Sequence, residues 1–123
     1  MHQACQEQDA EFIVVVIPTK EFVFEKSIQD NLDAMRFAEE LVKIIENEKI
    51  TRKMLFDHFA ESGIPFIDTV DHLRDQIGRR QMYTRSAVDL HPNRNGYEVI
   101  GEAVSRYLLD HSADENAQKK ANP

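Results

Sequence analysis

The sequence predicts an α/β fold with parallel strands, and predicts it in partial form. Three observations carry this. The segment FIVVVI, residues 12–17, is apolar at every position and rich in β-branched side chains. A strand without alternation is what a parallel sheet covered on both faces requires. The apolar spacing then runs strand, helix, helix, strand, helix, helix, the alternation that right-handed crossovers produce. Only two segments qualify as strands, so FIVVVI would leave an apolar edge uncovered. The pattern is that of the second half of an α/β sandwich, with something else completing it.

Each element has a local reason. Residues 1–10 are polar and fit the end of a helix, and the first strand stops at Pro18. Ser27 or Asp30 is placed to cap a helix running to about residue 49, with Leu32, Met35, Phe37, Leu41 and Ile45 among its apolar stripe. A second helix over about 51–61 carries Met54, Leu55, Phe56 and Phe59, with Gly63 at its end. IPFIDTV, residues 64–70, is a second short strand, and Thr69 or Asp71 can start a helix through residue 77. GRRQMYTRSAVD, residues 78–89, is a loop, and the last helix spans about 94–109. From residue 111 the polar stretch HSADENAQKKANP is expected to be a disordered tail. Residues 1–110 thus form part of one domain and 111–123 its tail, with neither an internal repeat nor a linker.

Composition narrows the function classes. At 123 residues, with 41% hydrophobic and 30% charged, the chain has a globular composition and at most one domain. Such a chain buries roughly two-thirds of the surface its unfolded form exposes, enough for one core. The net charge of −7, without a clustered basic face, argues against a nucleic-acid partner. The longest apolar run, residues 12–17, is too short to span a membrane. MHQACQEQDAEF lacks the basic start and apolar run of a signal peptide, so the chain as written is expected to be cytoplasmic. Cys5 is the single cysteine, which excludes an internal disulfide and leaves an ordinary thiol. Asp57-His58 and Asp71-His72 are adjacent pairs that point to different helix faces. No His-x-x-x-His or carboxylate cluster suggests a metal, and the four glycines form no phosphate loop. Glu39, Glu40, Glu46 and Glu48 read as a solvated helix face.

VDLHPNRNGYEVIGEAV, residues 88–104, is the most informative stretch. In an extended segment residues i and i+2 project to one side, so the Asp89 carboxylate and the His91 ring share a face. Pro92 keeps His91 out of the α region. Asn93 or Asn95 can cap the helix that follows, and Asn95 to Glu98 has capping-box spacing. A carboxylate on imidazole Nδ1 fixes the tautomer and leaves Nε2 as a base, an arrangement suited to activating a hydroxyl. The same spacing also describes a capped helix entry with a surface histidine.

The surrounding residues add a resemblance. DLHPNRNGYEVIGEAVSRYL resembles the last block of the SGNH (GDSL-type) hydrolases, in His-Pro-Asn, the Gly-Tyr step and the helix spacing. VVVIPTKEFVF and GIPFIDTVDHLRDQIGRRQMYTRSAVDLHPN resemble segments of the acetyltransferase-like branch, so the likeness covers about residues 11–109. It implies the C-terminal part of a flavodoxin-like three-layer α/β/α sandwich. It also implies ester hydrolysis or O-acyl transfer through an acyl-serine, without metal or organic cofactor, on a substrate such as an acetylated saccharide. Many members of the family are exported. His91 would be the general base and Asp89 its orienting acid, two residues before the histidine as in that branch and not three. Lys20, following the C-terminal end of the first strand, is a candidate substrate-binding residue, since ligands sit at that edge of open α/β sheets. Its alternative is a solvated lysine after a turn.

The family's Gly-Asp-Ser block and oxyanion-hole residues have no counterpart. The serines are Ser27, Ser62, Ser86, Ser105 and Ser112; none follows Gly-Asp or sits in Gly-x-Ser-x-Gly. Ser86 is near His91 in sequence but has no elbow around it. Without nucleophile and oxyanion hole the largest catalytic contributions are missing, so little or no esterase activity is expected from this chain alone. A missing N-terminal part would complete it. The alternative is a non-catalytic protein whose strand edge pairs with a second copy, as a homo-oligomer, or with another protein.

Overall fold

The computed structural model describes residues 1–84 and 89–121. Among these residues helices predominate around a two-stranded parallel sheet. The chain passes from α1 (His2–Gln6) into β1 (Val14–Val16). It returns through α2 (Lys20–Val23), α3 (Glu25–Gln29), a 3-10 turn (Leu32–Ala34) and α4 (Ala38–Ser62) to β2 (Phe66–Asp68). Then come α5 (Val70–Arg74) and α6 (Arg94–Ala121). Val14 pairs with Phe66, Val15 with Ile67 and Val16 with Asp68.

Strand alternation assigns the two faces. Phe66 stacks on Phe56 of α4 with ring centroids 4.7 Å apart, and Asp68 on the same side pairs with Arg52 of α4. Val15 turns the other way and packs on the core of Val23, Leu73, Met82, Tyr83, Val99 and Ile100. Helix α4 therefore covers one face, and α5 with α6 the other. A second cluster, Phe22, Ile28, Ile45 and Val70, joins α2, α3, α4 and α5.

The outer edge of β1 has no strand among the described residues. The Val14 amide donates to the Pro65 carbonyl, and the Val16 carbonyl accepts from the Thr69 amide. In a parallel ladder alternate residues bond one neighbour, so Ile13, Val15 and Ile17 turn their backbone groups to the opposite edge. Ile17 beside it is 45% exposed.

Three helical expectations need correction. The helix expected from Ser27 or Asp30 to about residue 49 is broken instead over residues 30–37. The Asn31 carboxamide donates to the Ser27 carbonyl at 2.8 Å, a side-chain bond that competes with helix propagation. The break expected near residue 50 is absent, and the helix passes through it without interruption. Pairs Lys49–Glu46 at 2.8 Å and Lys53–Asp57 at 2.6 Å flank the expected gap, and one helix runs to Gly63 at φ 63°. Glu48 is not on a solvated face: it accepts from the Thr19 amide at 3.2 Å and from the Thr19 hydroxyl. Helix α6 is carried beyond the expected end near 109 to Ala121, and residues 122–123 lie outside the described residues.

Candidate functional site

The segments 81–84 and 89–93 are two stems pinned to the start of α6. Tyr83 and Pro92 form an antiparallel bridge. The Asn93 amide donates to the Met82 carbonyl at 2.8 Å, and the Asn93 carboxamide to the Gln81 carbonyl at 2.8 Å. The Asn93 side-chain oxygen accepts from the Gly96 amide at 3.1 Å, so Asn93 caps the helix. Asn95 turns back to the Gln81 carbonyl at 3.2 Å, and Glu98 binds Arg94 at 3.1 Å, so no capping box forms at Asn95. A Cβ on Gly96 would stand 2.6 Å from the Met82 carbonyl oxygen and 2.7 Å from the Pro92 Cβ. Only glycine lets the helix approach this stem.

On the second stem Asp89 Oδ1 accepts the His91 backbone N–H at 3.1 Å and lies 3.1 Å from His91 Nδ1. The His91 amide, then its ring, then the charge of Lys20 hold the Asp89 carboxyl below its ordinary value of 3.8. A carboxylate against Nδ1 favours the tautomer with its proton there and the lone pair on Nε2. The imidazole side chain is 84% exposed, so a reacting group can reach it.

Lys20 opens α2, one residue after Thr19 caps that helix by accepting from the Phe22 amide. Its Nζ donates to the Thr84 carbonyl at 3.0 Å, and the Thr84 hydroxyl donates to the Asp89 carbonyl at 3.3 Å. One polar chain thus connects the turn after β1 with the residue that orients His91. Tyr83 anchors the first stem: it is buried, its ring meets Phe24 edge-on at 5.8 Å, and burial, then Glu48 and Glu21, push its phenol up to about 12. Below it, Glu48 links Thr19 to the buried Arg52, which pairs with Asp68. Thr84 carries no local signal in the sequence, and it acts through contacts with residues far along the chain.

Ser86 lies outside the described residues. Ser27, Ser62 and Ser105 sit on α3, α4 and α6 and make no hydrogen bond to His91. Among the described residues no group of three or more His, Cys, Asp or Glu could hold a metal ion. No helix there is long and apolar enough to cross a membrane.

Compared with known proteins, the chain matches no family model, no curated protein and no solved structure. The assignment of the site therefore rests on geometry. An oriented, exposed imidazole can take a proton from a hydroxyl and return it.

Proposed function

We propose that this chain carries the acid–base pair of a serine esterase or O-acyltransferase of the SGNH (GDSL) type. Its architecture on this reading is part of a flavodoxin-like three-layer sandwich. His91 deprotonates a serine supplied by a further segment or a partner, then protonates the leaving alcohol, while Asp89 orients the ring. No metal or organic cofactor takes part. An acetylated saccharide is the substrate class the resemblance implies. The observation that supports the reading is the 3.1 Å contact between Asp89 Oδ1 and His91 Nδ1 on an exposed loop.

The test is p-nitrophenyl acetate hydrolysis by the chain alone and by the chain fused to a segment bearing a Gly-Asp-Ser block. The chain alone should be near background, and the fusion should gain activity that His91→Ala abolishes. A fusion equally active with and without His91 would overturn the reading.

The open edge of β1, at Ile13, Val15 and Ile17, favours a second reading, a non-catalytic protein that pairs through this edge. A stable dimer in sedimentation, with no His91-dependent hydrolysis in the fusion, would select it.

A further inference from the structure

A cavity of about 460 Å³ opens beside the Asp89–His91 segment, within the size range of small-molecule sites. Its apolar walls are Phe24, Ile28, Met35, Phe37, Leu41 and Leu90, and its polar lining is Lys20, Glu21 and Arg36. We propose that this cavity binds a straight-chain fatty acid in its carboxylate form, with the tail between α3 and α4 and the head at Lys20 and Arg36.

The walls call for a ligand body without directed polar groups, since apolar burial is non-directional. The rim calls for an anion. An ammonium has three donors, and Lys20 uses one on the Thr84 carbonyl, which leaves two for an anion. The Arg36 guanidinium lies over the Phe37 ring, 5.4 Å from its centroid, and its planar fork matches a carboxylate. Glu21 on the same rim disfavours a second acidic group, so a monocarboxylate fits better than a dicarboxylate. In a chain of net charge −7, two cations at the mouth of an apolar cavity make a local exception. Leu90, between Asp89 and His91 in sequence, supplies one apolar wall of the cavity. The inference stands on the cavity and does not depend on the acyl-transfer reading.

Calorimetric titration of the full chain with decanoate, decanol and decyltrimethylammonium, each below its aggregation range, tests this. Decanoate should bind saturably at one site, decanol at least about tenfold more weakly, and the cation without saturation. Phe37, 58% exposed, and Arg36, also exposed, can be changed with little cost to folding, checked by circular dichroism. Phe37→Ser and Arg36→Glu should each weaken decanoate about tenfold, and Arg36→Glu should leave decanol unchanged. Absence of saturable decanoate binding, equal binding of all three probes, or variants that bind like the parent would each overturn the proposal. Decanoate should still bind in His91→Ala. Binding retained without any His91-dependent hydrolysis in the fusion sinks the catalytic reading alone; the reverse sinks the cavity alone.

Discussion

Lys20 and Thr84 are 64 residues apart in sequence and are joined by one hydrogen bond, ammonium to carbonyl, at 3.0 Å. Through the Thr84 hydroxyl the link reaches the Asp89 carbonyl at 3.3 Å, so the turn after β1 helps to set the position of the acid.

Lys20→Met should therefore raise the Asp89 titration midpoint towards 3.8, though only in part. The His91 amide is the larger cause of its depression and survives the change. Loss of the Lys20–Thr84 bond should cost about 1 kcal/mol of stability. Carbon-13 NMR of the Asp89 carboxyl and urea midpoints read the two effects. An unmoved Asp89 titration would mean that Lys20 has no influence on the pair.

Two glycines on α6 should respond in opposite directions. Gly96→Ala forces a methyl to within 2.6 Å of the Met82 carbonyl oxygen and should destabilise by about 1–3 kcal/mol. Nothing lies within 4 Å of a Cβ on Gly101, so Gly101→Ala should stabilise by about 1 kcal/mol through helix propensity. Thermal melts of both variants decide it; equal effects would show that the stem is not pinned to the helix.

The Tyr83 hydroxyl is buried and has no hydrogen-bond partner among the described residues. Tyr83→Phe should therefore be neutral or up to about 1 kcal/mol stabilising at pH 7. Because burial raises the phenol to about 12 from 10.0, the unfolded chain releases this proton first, and stability falls as pH rises above 10.0. The variant loses that slope, so its advantage should widen in alkaline urea titrations. A marked loss of stability at pH 7 would reveal a partner for the hydroxyl.

Glu25 links α3 to α4 and α5, with Lys49 at 2.7 Å and Arg74 at 3.1 Å. The Lys49 hydrogen bond is the main cause that lowers its pKa from 4.5. A lowered carboxyl contributes stability that is present above 4.5 and lost as pH falls through the folded value. Glu25→Gln should thus cost about 1 kcal/mol at neutral pH, and the gap to the parent should close progressively below pH 4.5. A gap that persists unchanged at pH 3 would sink this account.

Much of the fold was legible because the signals are local. The unbroken β-branched run around Val14–Val16 and the short Phe66–Asp68 run both become strands. The residues 81–96 were only half legible. Asp89, His91 and the helix entry at Asn93 are neighbours in sequence, so spacing could single them out. Thr84, Leu90 and the cavity could not be singled out, because each gains its role from residues tens of positions away. The helix boundaries between residues 30 and 51 carry no such local signal. No Gly or Pro stands between residues 30 and 51, and the break falls where the Asn31 side chain bonds the Ser27 carbonyl.

By itself the sequence determined the α/β class, the parallel pairing of two apolar strands and the helix that follows Pro92. These depend on side-chain period, β-branching and capping, which act over a few residues. Tertiary structure alone decided that Glu48 is drawn inward to Thr19 and that Lys20 reaches the Asp89 loop through Thr84. Those outcomes are settled by which buried polar groups find partners across the sheet, and such a choice is made only when distant segments meet.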